Sequence, residues 1–382
     1  MRNFFKQLHI WLSIPFGLVI SITCFTGAVL IFETEITESV QREYYYVESV
    51  KSEPLPLDEL LNRVEPTLKE GQRITGVTIS DDPERTYKVN LSQPKRAAIY
   101  VDQYSGEVLG EAGRLEFFRT MFLLHRWLMD SRPEDGSAIF WGKMIVGVST
   151  LMFVIILLSG IVIWVPKSIK AWKNRSKIAV TKGWHRFWYD LHVAGGIYAM
   201  LLLLAMALTG LTWSFEWYRN DFYKLFGVEI QEKSKSAEAS NQERDVQRER
   251  GGRGAVHMVD ISPYIAWERA YRNVREVVEP GTRITISQGS ADVSLAGWGN
   301  QRASDKYNFD SATGEITSVE LYSDSQRSRK IRGWIFSVHV GNWGGILTRI
   351  LWFLAAMIGA TLPLTGYYLW IKRKFFRKSK SC

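Results

Sequence analysis

Four of the six histidines fall at matched places in the chain. His9 and His192 each follow a Leu at the mouth of an apolar run. The two runs, residues 8–33 and 191–216, share a Thr-Gly pair ending eighteen residues after the histidine (Gly27, Gly210) and a closing Phe-Glu. His125 in LLHRW and His339 in SVHVG make a second matched pair, ahead of the apolar runs ILLSGIVIWVPK and TLPLTGYYLWIKR, in which Gly160 and Trp164 correspond to Gly366 and Trp370. Neutral imidazole binds zinc, copper and iron. Two donors make a poor zinc site, which takes three or four ligands, and no Asp or Glu recurs beside them. Two imidazoles facing each other across a twofold axis suit the two faces of a planar iron porphyrin, and filling both axial positions suits electron transfer. The competing reading, an interfacial anchor, fits one isolated histidine better than two matched pairs, since ionisable groups at membrane spans tend to be functional.

Further residues attach to this scheme. His185, seven residues before His192, is the alternative ligand at that end, two helical turns away on the same face. Each apolar run carries a small hydroxyl residue followed by Gly: Thr26-Gly27, Ser159-Gly160, Thr209-Gly210 and Thr365-Gly366. These glycines either leave room for a porphyrin edge or serve ordinary small-residue helix packing. Arg126, Arg186, Lys143 and Arg332 are basic groups near the spans that could meet propionates. His257 adjoins a polar stretch and reads as solvated. The two cysteines, Cys24 and Cys382, allow no disulfide framework and no structural zinc site. The absence of C-x-x-C-H means that any haem would be held noncovalently.

Four runs are long enough for a hydrocarbon core that needs about 20 residues. They are expected within 1–33, 139–166, 190–215 and 345–371. The first is too long for a signal-peptide core and has no A-x-A site after it, so it reads as an uncleaved anchor. Mean hydropathy is only −0.10 although 46% of residues are hydrophobic, which fits spans separated by polar domains. Basic residues concentrate at three places: Arg2 and Lys6, seven Lys and Arg with no acidic residue in 165–187, and six in the tail from Ile371 to Cys382. The rest of the chain is acidic on balance, since 48 Lys and Arg less these fifteen fall below 39 Asp and Glu. The net charge of +9 is therefore a topology signal and not a nucleic-acid footprint. It puts both termini, the loop 167–189 and the tail 372–382 in the cytoplasm, and 34–138 and 216–344 outside, which in a bacterium is the periplasm.

The external segments also match. LPLDELLNRVEPTLKEG and SPYIAWERAYRNVREVVEPG have helical apolar spacing. β-rich runs follow each: RITGVTIS, TYKVNLS and AAIYVD, then TRITIS and KYNFD. Both halves close on D-x-x-[ST]-G-E, where Asp102 and Asp310 can cap a turn and Gly106 and Gly314 can supply positive φ. The segment 231–254 has no counterpart and reads as a mobile insertion. The expected architecture is a four-helix transmembrane bundle built from two parallel repeats of span, small α+β domain, span, related by a pseudo-twofold along the membrane normal.

The duplicated unit, the Leu-His helix starts and the D-x-x-[ST]-G-E domains resemble the PepSY-associated transmembrane proteins over nearly the whole chain. In size and span layout the chain is most similar to that family's inner-membrane ferric-siderophore reductases. The resemblance implies haem b ligated through His9, His192, His125 and His339. It also implies periplasmic-side reduction of ferric siderophores of the hydroxamate type, such as ferrioxamine, with electrons arriving from the membrane or the cytoplasm. No G-x-G-x-x-G supports a nucleotide site within the chain, so the donor would be quinol, flavin or a partner reductase. Trp127, Trp334 and Trp343 lie close in sequence to the external ligands and either pack on haem or chelate or serve as membrane-belt anchors. Two other functions stay open: a non-enzymatic PepSY membrane anchor or regulatory binding protein, and haem electron transfer to another periplasmic acceptor.

Overall fold

The computed structural model describes residues 1–51, 53–94, 97–131, 139–166, 168–229, 264–295 and 297–375. The stretch 231–254, His257, Cys382 and the end of the basic tail lie outside these residues.

The chain opens with a long apolar helix, α1 (Arg2–Leu30), then α2 (Glu33–Val40), α3 (Arg42–Tyr45) and α4 (Leu57–Val64). Strands β1 (Ile74–Ile79), β2 (Tyr87–Leu91), β3 (Ala98–Val101) and β4 (Val108–Gly110) follow, then α5 (Glu116–Trp127), which carries His125, and α6 (Trp141–Trp164). After α7 (Ile169–Arg175), the elements α8 (Trp184–Asp190), a π-helical turn (Leu191–Gly195) and α9 (Gly196–Ser214) run as one helix. The chain continues through α10 (Glu216–Lys224), α11 (Tyr264–Val277), β5 (Ile284–Ser287), β6 (Ser290–Ser294), β7 (Ser304–Phe309) and β8 (Ile316–Glu320). It ends in α12 (Arg327–Val340), which carries His339, and α13 (Gly345–Phe375).

Among the described residues, four helices are long and apolar enough to cross a membrane: Arg2–Leu30, Trp141–Trp164, Trp184–Ser214 and Gly345–Phe375. The first two lie inside the stretches expected from hydropathy, and the last two overrun theirs, to Trp184 at one end and Phe375 at the other, because hydrogen-bonded turns continue into polar sequence. Their shared core is apolar, with Ile20, Phe153, Leu157 and Leu203 buried against small Ala199, Ala207 and Ala355. Pro15 and Pro363 sit inside α1 and α13, where a missing N–H frees a carbonyl. Near the first of these, Tyr367 Oη donates to the Ile14 carbonyl at 2.8 Å, tying α13 to α1.

The segments 34–138 and 216–344 share one sheet. Their strands form one eight-stranded antiparallel sheet in the order β4-β3-β2-β1-β5-β6-β7-β8. The seam pairs β1 with β5, with Val77 opposite Ile286 and Thr78 opposite Thr285. An unpaired β1 or β5 would leave a row of bare N–H and C=O groups; joining the halves covers both edges at once. Read outward from the seam the strand order is palindromic. Helices α4 and α11 lie side by side on one face over Val77, Val89, Ile284 and Ile286, all within 1% of full burial. They are linked by the Leu57 N–H donating to Glu268 Oε2 at 2.7 Å. Strands β4, β6 and β8 were not among the sequence expectations. β6 has only Ala291 and Val293 to bury, and β8 is exposed along most of its length.

The two Asp-led turns form as their motif requires. Asp102 Oδ1 accepts from the Tyr104 N–H at 2.7 Å, and Asp310 Oδ1 accepts from Ala312 and Thr313 at 2.9 Å each. Those two amides hold the Asp310 carboxyl below its ordinary range. Gly106 and Gly314 have φ of +75° and +77°. At Gly314 a Cβ would stand 2.4 Å from the Ala266 carbonyl oxygen of α11. Gly314→Ala therefore combines left-handed strain with a backbone clash and is expected to cost about 2 kcal/mol or more. Thermal unfolding of the purified protein reads this cost.

Candidate functional site

Each end of the bundle holds one histidine pair. At the end away from the sheet, His9 on α1 faces His192 in the π-helical turn, with ring centroids 6.3 Å apart and planes at 86°. At the sheet end, His125 on α5 faces His339 on α12, with centroids 6.1 Å apart and planes at 57°. The two short helices arrive by different routes. Leu128 and Met129 turn the chain through φ of +51° and +67° after α5. Gly341 ends α12 at +74°, where Trp352 Nε1 donates back to the Val338 carbonyl at 2.7 Å.

All four imidazoles sit in one kind of cradle. The His9 Nδ1–H points at the Ile156 carbonyl (3.1 Å), that of His192 at Leu362 (3.1 Å), that of His125 at Thr23 (2.9 Å) and that of His339 at Met206 (3.0 Å). In every case this carbonyl lies three residues before the hydroxyl of a Ser/Thr-Gly pair. A carbonyl only accepts, so the proton sits on Nδ1 and Nε2 keeps its lone pair. That is the arrangement of a ligating histidine with an outer hydrogen-bond partner.

The glycine of each pair faces the ring. A Cβ on Gly27 would come within 2.8 Å of His125 Cε1, on Gly210 within 3.1 Å of His339 Cε1, on Gly366 within 3.4 Å of His192 Cε1, and on Gly160 within 3.6 Å of His9 Cε1. The room these glycines provide is thus taken by imidazoles. The spacing was legible in the sequence, but what the glycines touch was not. The outer partners were missed as well: the hydroxyls of Ser159, Thr209 and Thr365 lie 3.0–3.2 Å from the Nδ1 of His9, His339 and His192.

The structure does not bring His185 to this site. It is exposed and packs on Tyr368 with centroids 5.8 Å apart. His185 lies on α-helical α8 and His192 within the π-helical turn that follows, so the two do not share one regular helical phase. Around His9 and His192 lies a cavity of about 660 Å³ that also touches Gly160, Gly366, Trp164 and Trp370. Arg2, Lys6, Arg175, Arg373 and Lys374 line it too. Arg175 donates to the Trp164 carbonyl at 2.6 Å and Arg2 to that of Ile163, capping the end of α6. Of the basic residues singled out above, Arg186 is paired with buried Asp190 at 2.8 Å. Arg126 lies over Phe122 and Trp127, and burial pulls its guanidinium below the ordinary value. Trp213, not foreseen, packs edge-on against His339 at 5.0 Å.

Fourteen residues separate His9 from Thr23, and the same number separate His192 from Met206. At about 1.5 Å per residue the two pairs are roughly 21 Å apart along the bundle. Among the described residues no third His, Cys, Asp or Glu joins either pair. A metal–imidazole bond is about 2 Å and the ring centre lies ~1.1 Å beyond the nitrogen, so one metal between two rings sets centroids at roughly 6.2 Å. Both pairs have that separation. A family model described as the PepSY-associated TM region matches residues 6–373. No curated protein matches the chain.

Proposed function

The chain belongs to the PepSY-associated TM region family, whose model spans nearly all of it, and on that premise we propose that it is a di-haem b oxidoreductase of the bacterial inner membrane. It carries electrons outward to reduce Fe(III) in ferric siderophores. The observation that carries the reading is the pair of facing imidazoles at each end, at 6.3 and 6.1 Å, with every Nδ1 tied to a carbonyl.

Haem b at each pair supplies reversible one-electron storage. His9 with His192, and His125 with His339, would hold it, and two imidazole ligands to each group would favour electron transfer over ligand binding. Two donors suffice because a porphyrin brings its own equatorial nitrogens. The cavity at the His9–His192 end is of cofactor size, and its five basic residues suit propionates. Buried Ile20, Phe153, Leu157 and Leu203 keep water out of the space between the pairs. The basic end faces the cytoplasm, where both termini lie, and the sheet stands in the periplasm. Quinol, a flavin or a partner reductase delivers the electrons, and each ferric chelate of the hydroxamate type, such as ferrioxamine, takes up one. As Fe(II) the metal is held more weakly by hard oxygens and is released.

The test begins with colour. Protein purified from haem-replete cells is expected to show a Soret band and two haems per chain. Protein that stays colourless would return the chain to the role of a PepSY membrane anchor or regulatory binding protein. Mixing the reduced protein with ferric hydroxamates is then expected to reoxidise it within the mixing experiment. Reoxidation that no chelate accelerates would point to another periplasmic acceptor.

A further inference from the structure

The four cradles are not equal. At three of them the Nδ1–H of the histidine has two acceptors, a carbonyl and a hydroxyl. Ser159 Oγ donates its own proton to the Ile156 carbonyl at 2.8 Å, Thr365 Oγ1 to Leu362 at 2.9 Å, and Thr209 Oγ1 to Ala205 at 2.6 Å. Each hydroxyl oxygen is therefore turned as an acceptor toward the imidazole beside it. At the fourth cradle Thr26 Oγ1 donates to the Ile22 and Thr23 carbonyls at 2.7 and 3.2 Å and makes no bond to His125. Thr23 Oγ1, one turn earlier, is buried without a partner. His125 Nδ1 has the Thr23 carbonyl alone.

An acceptor on Nδ1–H pushes electron density onto the ring and makes Nε2 a stronger donor. A stronger donor stabilises Fe(III) over Fe(II) and so lowers the reduction potential. We propose that Ser159, Thr365 and Thr209 are positioning residues that lower the potential of the metal centre their histidine serves. We further propose that the missing hydroxyl contact at His125 makes the sheet-end pair the weaker donor set. The His9–His192 pair has four acceptors on its two Nδ1–H groups, and the His125–His339 pair has three. The gradient this creates runs toward the sheet. The inference rests on the haem reading above.

The test is a potentiometric titration of the purified holoprotein, followed in the visible spectrum. Two midpoints are expected in the wild type, the lower belonging to the His9–His192 pair. Ser159→Ala and Thr365→Val are each expected to raise that lower midpoint and leave the other in place. The size of the shift is roughly five-fold in the Fe(II)/Fe(III) ratio at fixed potential, the equivalent of one neutral hydrogen bond. Thr209→Val is expected to raise the upper midpoint. Thr26→Val moves neither, and Thr365→Ser, which keeps the hydroxyl, restores the wild-type value. A shift from Thr26→Val as large as the others, or midpoints that ignore all four hydroxyls, would overturn the inference while leaving the haem reading intact. So would a lower wild-type midpoint at the His125–His339 pair. Loss of the centre from both Ser159→Ala and Thr365→Val would assign these hydroxyls to folding and also overturn it. Absence of a Soret band from the wild type would instead remove both readings together.

Discussion

If the chain is the di-haem reductase proposed above, His339→Ala is expected to remove one of its two haems and to stop electron delivery to ferric chelates, while the His9–His192 centre survives. His339 is the sole ring opposite His125, and no third donor among the described residues can replace it. The lost ligand lies on α12 and its partner on α5, both outside the four long apolar helices, so the bundle core that holds the other pair is untouched. Haem content should fall from two to one per chain. The remaining centre should still be reduced at its own end, because His9 and His192 lie roughly 21 Å away along the bundle. Reoxidation by a ferric hydroxamate should drop to the rate of a protein-free control. His192→Ala is the mirror experiment: the sheet-end centre is retained, and reduction from the donor side is what fails. Equal loss of both centres from either variant would contradict the assignment of one pair to one haem.

Gly27→Ala and Gly160→Ala are expected to differ sharply although both add one methyl group at a matched position. On Gly27 the new Cβ would meet His125 Cε1 at 2.8 Å, closer than carbon atoms approach in folded proteins. The ring must yield, and it is anchored by the 2.9 Å bond to the Thr23 carbonyl one turn away. The sheet-end centre should lose haem or show a displaced axial ligand in its low-temperature EPR spectrum. On Gly160 the same methyl would sit 3.6 Å from His9 Cε1, an ordinary contact, and the other centre should keep its spectrum. Gly210→Ala, at 3.1 Å from His339 Cε1, should fall between them. If Gly27→Ala leaves the sheet-end spectrum unchanged, the glycines are not what seats the rings.

The spans and the histidine pairs were legible because both are carried by local sequence: apolar length for the helices, and matched offsets for His9, His192, His125 and His339. The Asp-led turns were legible for the same reason, since Asp102 and Asp310 bond to amides two or three residues on. What was hidden is nonlocal. Nothing in RITGVTIS and TRITIS says that β1 and β5, some two hundred residues apart, share a seam. Strand β6, with two inward apolar side chains, carries too little alternation to register. The π-helical turn at Leu191–Gly195 has no signature that would have turned His185 away from His192. The Ser/Thr-Gly pairs were visible as a pattern, but that a neighbouring helix lays an imidazole on each emerges only from packing.

Each cradle belongs to a helix other than the one bearing its histidine. Helix α1 contributes His9 at one end and holds His125 at the other through Thr23 and Gly27. The span Trp184–Ser214 contributes His192 and holds His339 through Met206 and Gly210. Helices α6 and α13 hold His9 and His192 and contribute no ligand of their own. The bundle is laced end to end: sliding α1 by a single residue, about 1.5 Å, would pull a ring out of register at one end and its seat out of register at the other. Loading of the two pairs is then coupled, on the haem reading proposed above. Whichever centre is filled first clamps the helices that seat the second, so protein loaded under limiting haem should collect as empty and full chains, with few that are half full.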